Sequence, residues 1–131
     1  MISKILVPID GSPLSKKATQ KAVELAGQLD ATIVIAHIMD QKNIEPYAEQ
    51  EKNAQDIIKE MVDYVMSEDV AVESMLLFGS PEYDIEKVAR KSEADMVVLA
   101  THGFGLKSKL LGSFSNAVVK YVKLPIVLIK E

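Results

Sequence analysis

The chain has no cysteine among its 131 residues. That excludes disulfides, thiolate metal sites and cysteine nucleophiles, and it suits a reducing compartment. No apolar run approaches the roughly 20 residues of a membrane span. The opening "MISKILVPID" lacks the basic flank and long apolar stretch of a secretory signal. Positive charge is not in excess: 15 Lys and Arg face 19 Asp and Glu, for a net charge of −4, which disfavours non-specific nucleic-acid binding. There is no low-complexity tract, no phosphate loop ending in Gly-Lys-Ser/Thr, and no Gly-x-Gly-x-x-Gly after the first apolar run. The expectation left by these absences is one soluble cytoplasmic domain over residues 1–131, with no membrane span and no nucleic-acid partner.

What is present is a rhythm. Five short apolar runs, 4–9, 31–38, 72–78, 95–100 and 125–129, alternate with longer amphipathic segments. Most runs are continuous rather than alternating, as parallel strands covered on both faces require. Leu14, Ala18, Ala22, Leu25, Ala26 and Leu29 recur at helical spacing in the first gap, and Ile57, Ile58, Met61, Val62 and Val65 in the second. Ile85, Val88 and Ala89 mark a third helix, and Phe114, Ala117, Val118 and Tyr121 a fourth. Alternating strands and helices imply right-handed crossovers and an α/β fold built on a parallel sheet. Ser12-Pro13 and Ser80-Pro81 each put a capping hydroxyl before a proline at a helix start. Pro8 has no N–H for a ladder, so regular pairing is expected to stop there, leaving Ile9 and Asp10 at the mouth of the sheet. The polar stretch 40–53 reads as the longest irregular connection, a surface loop rather than a lid.

In open α/β sheets ligands bind beyond the carboxyl ends of the strands, where strand order reverses. The loops expected there are "PIDGSPLS", "HIMD", "FGSP" and "ATHGFG", the last leading through "LKSKLL" to "GSFSN" at the start of the final helix. Residues 100–117 hold three glycines, three serines and two lysines. Glycines let backbone N–H groups reach an anion, and a helix start adds unpaired donors and partial positive charge. Ser113 and Ser115 can add hydroxyls, and Lys107 or Lys109 charge. The same glycines serve equally as turn and cap residues, so the residues alone leave a phosphate cradle and a plain turn both open.

The chain resembles the universal stress protein family, in "KILVPIDGSPLSKKA", in "GSPEYDIEKVARKSEADMVVLATHG" and in "LLGSFSNAVVKYVKLPIVLIKE". The resemblance implies an open five-stranded parallel sheet of order 3-2-1-4-5 with helices on both faces, and adenine nucleotide (ATP, ADP or AMP) held between the first and fourth strands. Carried over, Pro8, Ile9 and Asp10 line the adenosine end and Ile38 flanks the base. Gly103, Gly112, Ser113 and Ser115 surround the phosphates, with Ala100, His102, Gly105 and Phe114 completing the candidate set. Asp10 would repel a triphosphate, so its carboxylate suits either ribose hydroxyls and the adenine amine or a brace on nearby N–H groups. ATP-binding members follow Gly-x-x-Gly-x9-Gly-Ser/Thr. This chain has Ala100 in the first place and eight residues between Gly103 and Gly112, which places a deletion at the loop tip.

His102 reads as a loop brace rather than an acid–base catalyst, and His37 as a satisfied, partly buried histidine. No third metal ligand stands at a defined spacing from them, and Mg²⁺ would need phosphates to help hold it. No general base or arginine finger for hydrolysis is evident, so binding is expected, with slow ATP hydrolysis at most. Met61, Met66 and Met75 read as core filling. The last strand, "PIVLIKE", is an apolar edge that invites pairing with a second copy through residues 125–130, as family members commonly do. Three functions follow: a nucleotide-binding regulatory dimer in stress response, a regulatory or scaffold dimer without nucleotide, and a slow ATPase.

Overall fold

The computed structural model describes residues 1–104 and 111–131. Among them are five strands, β1 (Lys4–Pro8), β2 (Thr32–Asp40), β3 (Val72–Gly79), β4 (Met96–Ala100) and β5 (Ile126–Ile129). They alternate with four helices, α1 (Pro13–Leu29), α2 (Tyr47–Ser67), α3 (Pro81–Ser92) and α4 (Ser113–Tyr121). Every strand pair is parallel and the order is β3-β2-β1-β4-β5, as the resemblance implies.

Side chains on successive strand positions point to opposite faces, so the continuous apolar runs feed two cores. Ile5, Val7, Ile33, Ile35 and Val98 pack against Ala22, Val23 and Ala26 of α1 and Met61 and Val65 of α2. Leu6, Val34, Ala36, Val97 and Leu99 pack on the other face against Ile85, Val88 and Ala89 of α3 and Val118 of α4. Ile5, Leu6 and Val7 are wholly buried, each worth about 1.5–3 kcal/mol on the area scale. Because β1 lies between β2 and β4, the crossovers leave it in opposite directions, and a cleft opens at the carboxyl ends of β1 and β4.

Four expectations about this frame need correction. Residues 47–53 are the first two turns of α2, so the irregular stretch is much shorter than 40–53. Its start is fastened by buried Gln50, whose Nε2 donates to the Asp40 carbonyl at 2.9 Å. Leu29 and Tyr121 are exposed because each is the last residue of its helix, where the chain turns away; Val122 takes the buried place at the end of α4. Met66 is exposed too, one position round α2 from buried Val65. Finally, Ser12 Oγ caps α1 by accepting from the Ser15 amide at 3.2 Å, but the Ser80 hydroxyl does not cap α3. There the Ser80 amide donates back to Asp84 Oδ2 at 2.8 Å, since an ionised acceptor competes better for a helix N-terminus. Gly79 makes this possible: a Cβ on it would collide with that carboxylate.

Asp95 ties the amino end of the sheet together. Its Oδ2 accepts from the Ser3 amide at 2.8 Å, the Lys4 amide at 2.9 Å and the Ser3 hydroxyl at 3.0 Å. The Ser3 amide most of all, then the Lys4 amide and the Ser3 hydroxyl, hold its carboxyl below the usual range. A lowered folded value means stability that is present above the unfolded value, near 4, and lost as pH falls through the folded one. Asp95→Asn is therefore expected to lower the urea midpoint at pH 7, with the gap from wild type closing below about pH 4. A gap that stays constant to pH 3 overturns this account.

Candidate functional site

Five segments meet at the carboxyl edge. β1 ends at Pro8, yet the Ile9 amide still reaches the Ala36 carbonyl at 2.8 Å, which carries the chain straight to Asp10 before it turns. Asp10 Oδ1 accepts from the Ser12 amide at 2.9 Å, and the Asp10 amide donates to Ser15 Oγ at 3.2 Å. The Asp10 carboxylate also lies against Gly103, where a Cβ would overlap its Oδ2. His37 Nδ1 donates to the Ile9 carbonyl at 2.7 Å, which fixes the ring beside the first loop.

On the other side, Ser115 is buried and its hydroxyl donates to the Ala100 carbonyl at 2.7 Å. The Gly112 amide donates to the Thr101 carbonyl at 2.9 Å, and the Thr101 amide to Ile129 at 3.0 Å. His102 is buried, with Nδ1 3.0 Å from the Gly103 carbonyl and Nε2 3.2 Å from a Glu131 carboxylate oxygen. The root of the glycine loop is thus fastened to both α4 and β5.

These segments enclose a cavity of about 380 Å³, within the range of small-molecule sites. Pro8, Ile9, Asp10, Ile38, Ala100, His102, Gly103, Gly112, Ser113, Phe114 and Ser115 all line it. Gly105, Lys107 and Lys109 lie outside the described residues, as does the end of the loop tip assigned to the deletion. The cavity also takes in residues outside that candidate set: Ser15, Ala36, His37, Leu99 and Phe104, and Pro81, Glu82 and Ile85 from α3. The α3 contribution had one available signal. Ser80-Pro81 starts a helix directly after a strand, so its first turn must lie at the carboxyl edge.

The two helix starts at the cavity differ in charge. The first turn of α3 carries Glu82 and Asp84; that of α4 carries no acidic residue, and its cap, Gly112, supplies no side chain. Among the described residues, none accepts from the amides of Ser113, Phe114 or Ser115. Those donors, with the helix dipole behind them, suit a bound anion, whereas the Gly112 amide is already taken. The Ser113 hydroxyl donates to Glu82 Oε1 at 3.1 Å, joining the two helix starts. No group of three His, Asp or Glu among the described residues is arranged to hold a metal, and no described helix is long and apolar enough to cross a membrane.

Fold and site together define a doubly wound α/β domain with a ligand-sized cleft at the point where strand order reverses. The sequence model described as "Universal stress protein family" matches residues 1–130, and the chain belongs to that family. A universal stress protein of Methanocaldococcus jannaschii is 28% identical over 145 residues, spanning 100% of this chain and 84% of the relative. A putative universal stress protein of Staphylococcus saprophyticus is 30% identical over 128 residues, spanning 89% and 77%. Among solved structures, UspA of Lactobacillus plantarum superposes with a TM-score of 0.85 at 22% identity, covering 98% of this chain and 97% of that one. A universal stress protein in complex with cAMP gives 0.79 at 22% identity, covering 98% and 97%. The Archaeoglobus fulgidus protein in complex with dAMP gives 0.79 at 19% identity, covering 99% and 98%.

Proposed function

We propose that this chain is a single-domain regulatory module that binds an adenine nucleotide in the cavity between β1 and β4. It acts as a homodimer through β5 in a cytoplasmic stress response. The observation that carries the reading is convergence: candidate residues from loops far apart in the chain line one cavity of about 380 Å³. The apolar side, with Pro8, Ile9 and Ile38, suits a base, and the α4 amides suit a phosphate. Relatives of this fold in complex with cAMP and dAMP support the ligand class. Catalysis is not part of the reading, and Mg²⁺ enters only with a nucleotide whose phosphates share in holding it.

One observation favours the reading without nucleotide. The Gly112 amide is bonded to Thr101, so the glycine loop has a structural duty whatever it binds. The test is chromatography of the supernatant after freshly purified protein is denatured. Adenine nucleotide is expected there, and Gly112→Val, which puts a branched side chain at the cavity wall, is expected to abolish it. No nucleotide released, together with no thermal shift in millimolar ATP, ADP or AMP with Mg²⁺, overturns the proposal in favour of the scaffold.

A further inference from the structure

We infer that Glu82 sets how many phosphates the site accepts, favouring a nucleoside with one phosphoryl group over a triphosphate. This rests on the adenine-nucleotide reading above and goes beyond it by assigning a selectivity and the residue that imposes it.

Glu82 is half-buried, lines the cavity, and reaches from α3 to accept the Ser113 hydroxyl at 3.1 Å. Ser113 opens α4, where the amides of residues 113–115 suit a first phosphate. A phosphate oxygen that replaced Glu82 on that hydroxyl would stand about 2.8 Å from it. By the triangle rule it would then lie within roughly 6 Å of where the carboxylate rests, given ordinary hydrogen-bond lengths. A single phosphoryl group has the helix dipole and three amides to offset that repulsion. A second and third phosphoryl add charge while the neighbouring helix start offers them nothing. Asp84 already occupies the Ser80 amide, and Glu82 keeps the rest of that turn negative. Among the described residues that line the cavity there is no lysine or arginine to offset the added charge. One or two phosphoryl lengths farther out, each added negative charge weakens binding roughly threefold in a partly hydrated site.

Glu82 acts on the phosphates by charge and not by contact, so the readout must be a ratio rather than one affinity. Calorimetric titration of adenosine, AMP, ADP and ATP, at low salt with EDTA, is run on the wild-type protein, Glu82→Gln and Glu82→Asp. The wild type is expected to bind AMP more tightly than ATP. Glu82→Gln keeps the length and a hydrogen-bonding oxygen, and is expected to tighten ATP about tenfold or more. AMP should gain less and adenosine least, and Glu82→Asp should keep the wild-type order. If Glu82→Gln leaves the ATP-to-AMP ratio where it was, or if the wild type prefers ATP, Glu82 is not the selector although the nucleotide site stands. If none of the four ligands binds the wild type, the nucleotide reading itself falls and this inference with it.

Discussion

Gly103→Ala is expected to lower the melting temperature by about 3–8 °C, and Asp10→Ala in the same chain should add little further loss. The reason is contact between two loops that come from opposite ends of the sequence. A Cβ on residue 103 would overlap Asp10 Oδ2. An exposed side chain can usually swing away, but this carboxylate is held by its other oxygen on the Ser12 amide at 2.9 Å. Swinging out gives up that bond and loosens the turn that delivers Ser12 to cap α1. The loss is on the order of 1–2 kcal/mol for the bond and the forced shift together. Asp10→Ala alone costs about 1 kcal/mol by the same count, because it removes the same acceptor. Two changes that destroy one interaction cannot both be charged in full, so the double variant should fall short of additivity by about 0.5 kcal/mol or more. Thermal or urea unfolding of the four proteins in the cycle measures this. Additive losses would mean that Asp10 and Gly103 do not meet. The same variant should retain less nucleotide than wild type, since the displaced carboxylate would then stand in the cavity.

That contact also shows where reading the sequence stops. The inner strands were legible because a parallel strand covered on both faces must be apolar at nearly every position, and Ile5, Leu6 and Val7 are so on adjacent sites with zero exposure. The order of the strands came from the resemblance rather than from the strands themselves. The start of α2 was hidden because its first turns are mostly exposed and polar; only Gln50 and Ala54 turn inward there, and a buried glutamine carries no hydrophobic signal. The loops at the carboxyl edge were legible as a set, since a strand's end can be located without knowing its neighbours. The part Glu82 plays was not. It depends on α3 packing beside α4 on one face of the sheet, a juxtaposition made by the β3-to-β4 crossover and by no local pattern. The inward turn of the Gly112 amide was equally hidden, because a glycine's composition says nothing of where its N–H points.

Leu128→Pro should convert a dimer into monomers, whereas Val127→Pro should damage the fold of each subunit. The difference lies in which way each amide faces. Within a strand, successive backbone groups point alternately to the two neighbours. The carbonyls of Pro125 and Ile129 accept from Val97 and Thr101 at 2.9 and 3.0 Å, so the odd-numbered positions of β5 bond to β4. Ile126 and Leu128 then aim their N–H and C=O groups at the open edge of the sheet, and Lys130 its N–H, where a second β5 can pair with them across a twofold axis; the Lys130 carbonyl instead accepts from Lys17 Nζ at 3.1 Å. Proline at 128 removes a donor from that edge and leaves the β4 ladder with its full set, which is where sheets tolerate proline. Proline at 127 strips a donor from the internal ladder and strands a β4 carbonyl, for about 1–3 kcal/mol of lost stability. Leu128 also packs against the α3–α4 side of the core, so its replacement costs some stability too. Lys130→Pro, at an exposed side chain on the same outward register, separates the effects: it should weaken the dimer with little change in unfolding. Light scattering reports the mass and urea titration the stability of each variant. A wild-type monomer at micromolar concentration, or a Leu128→Pro protein that stays dimeric while folded, would remove β5 as the interface. The first outcome would also leave Lys130 and Glu131, the charged residues that follow β5, as guards of the apolar edge.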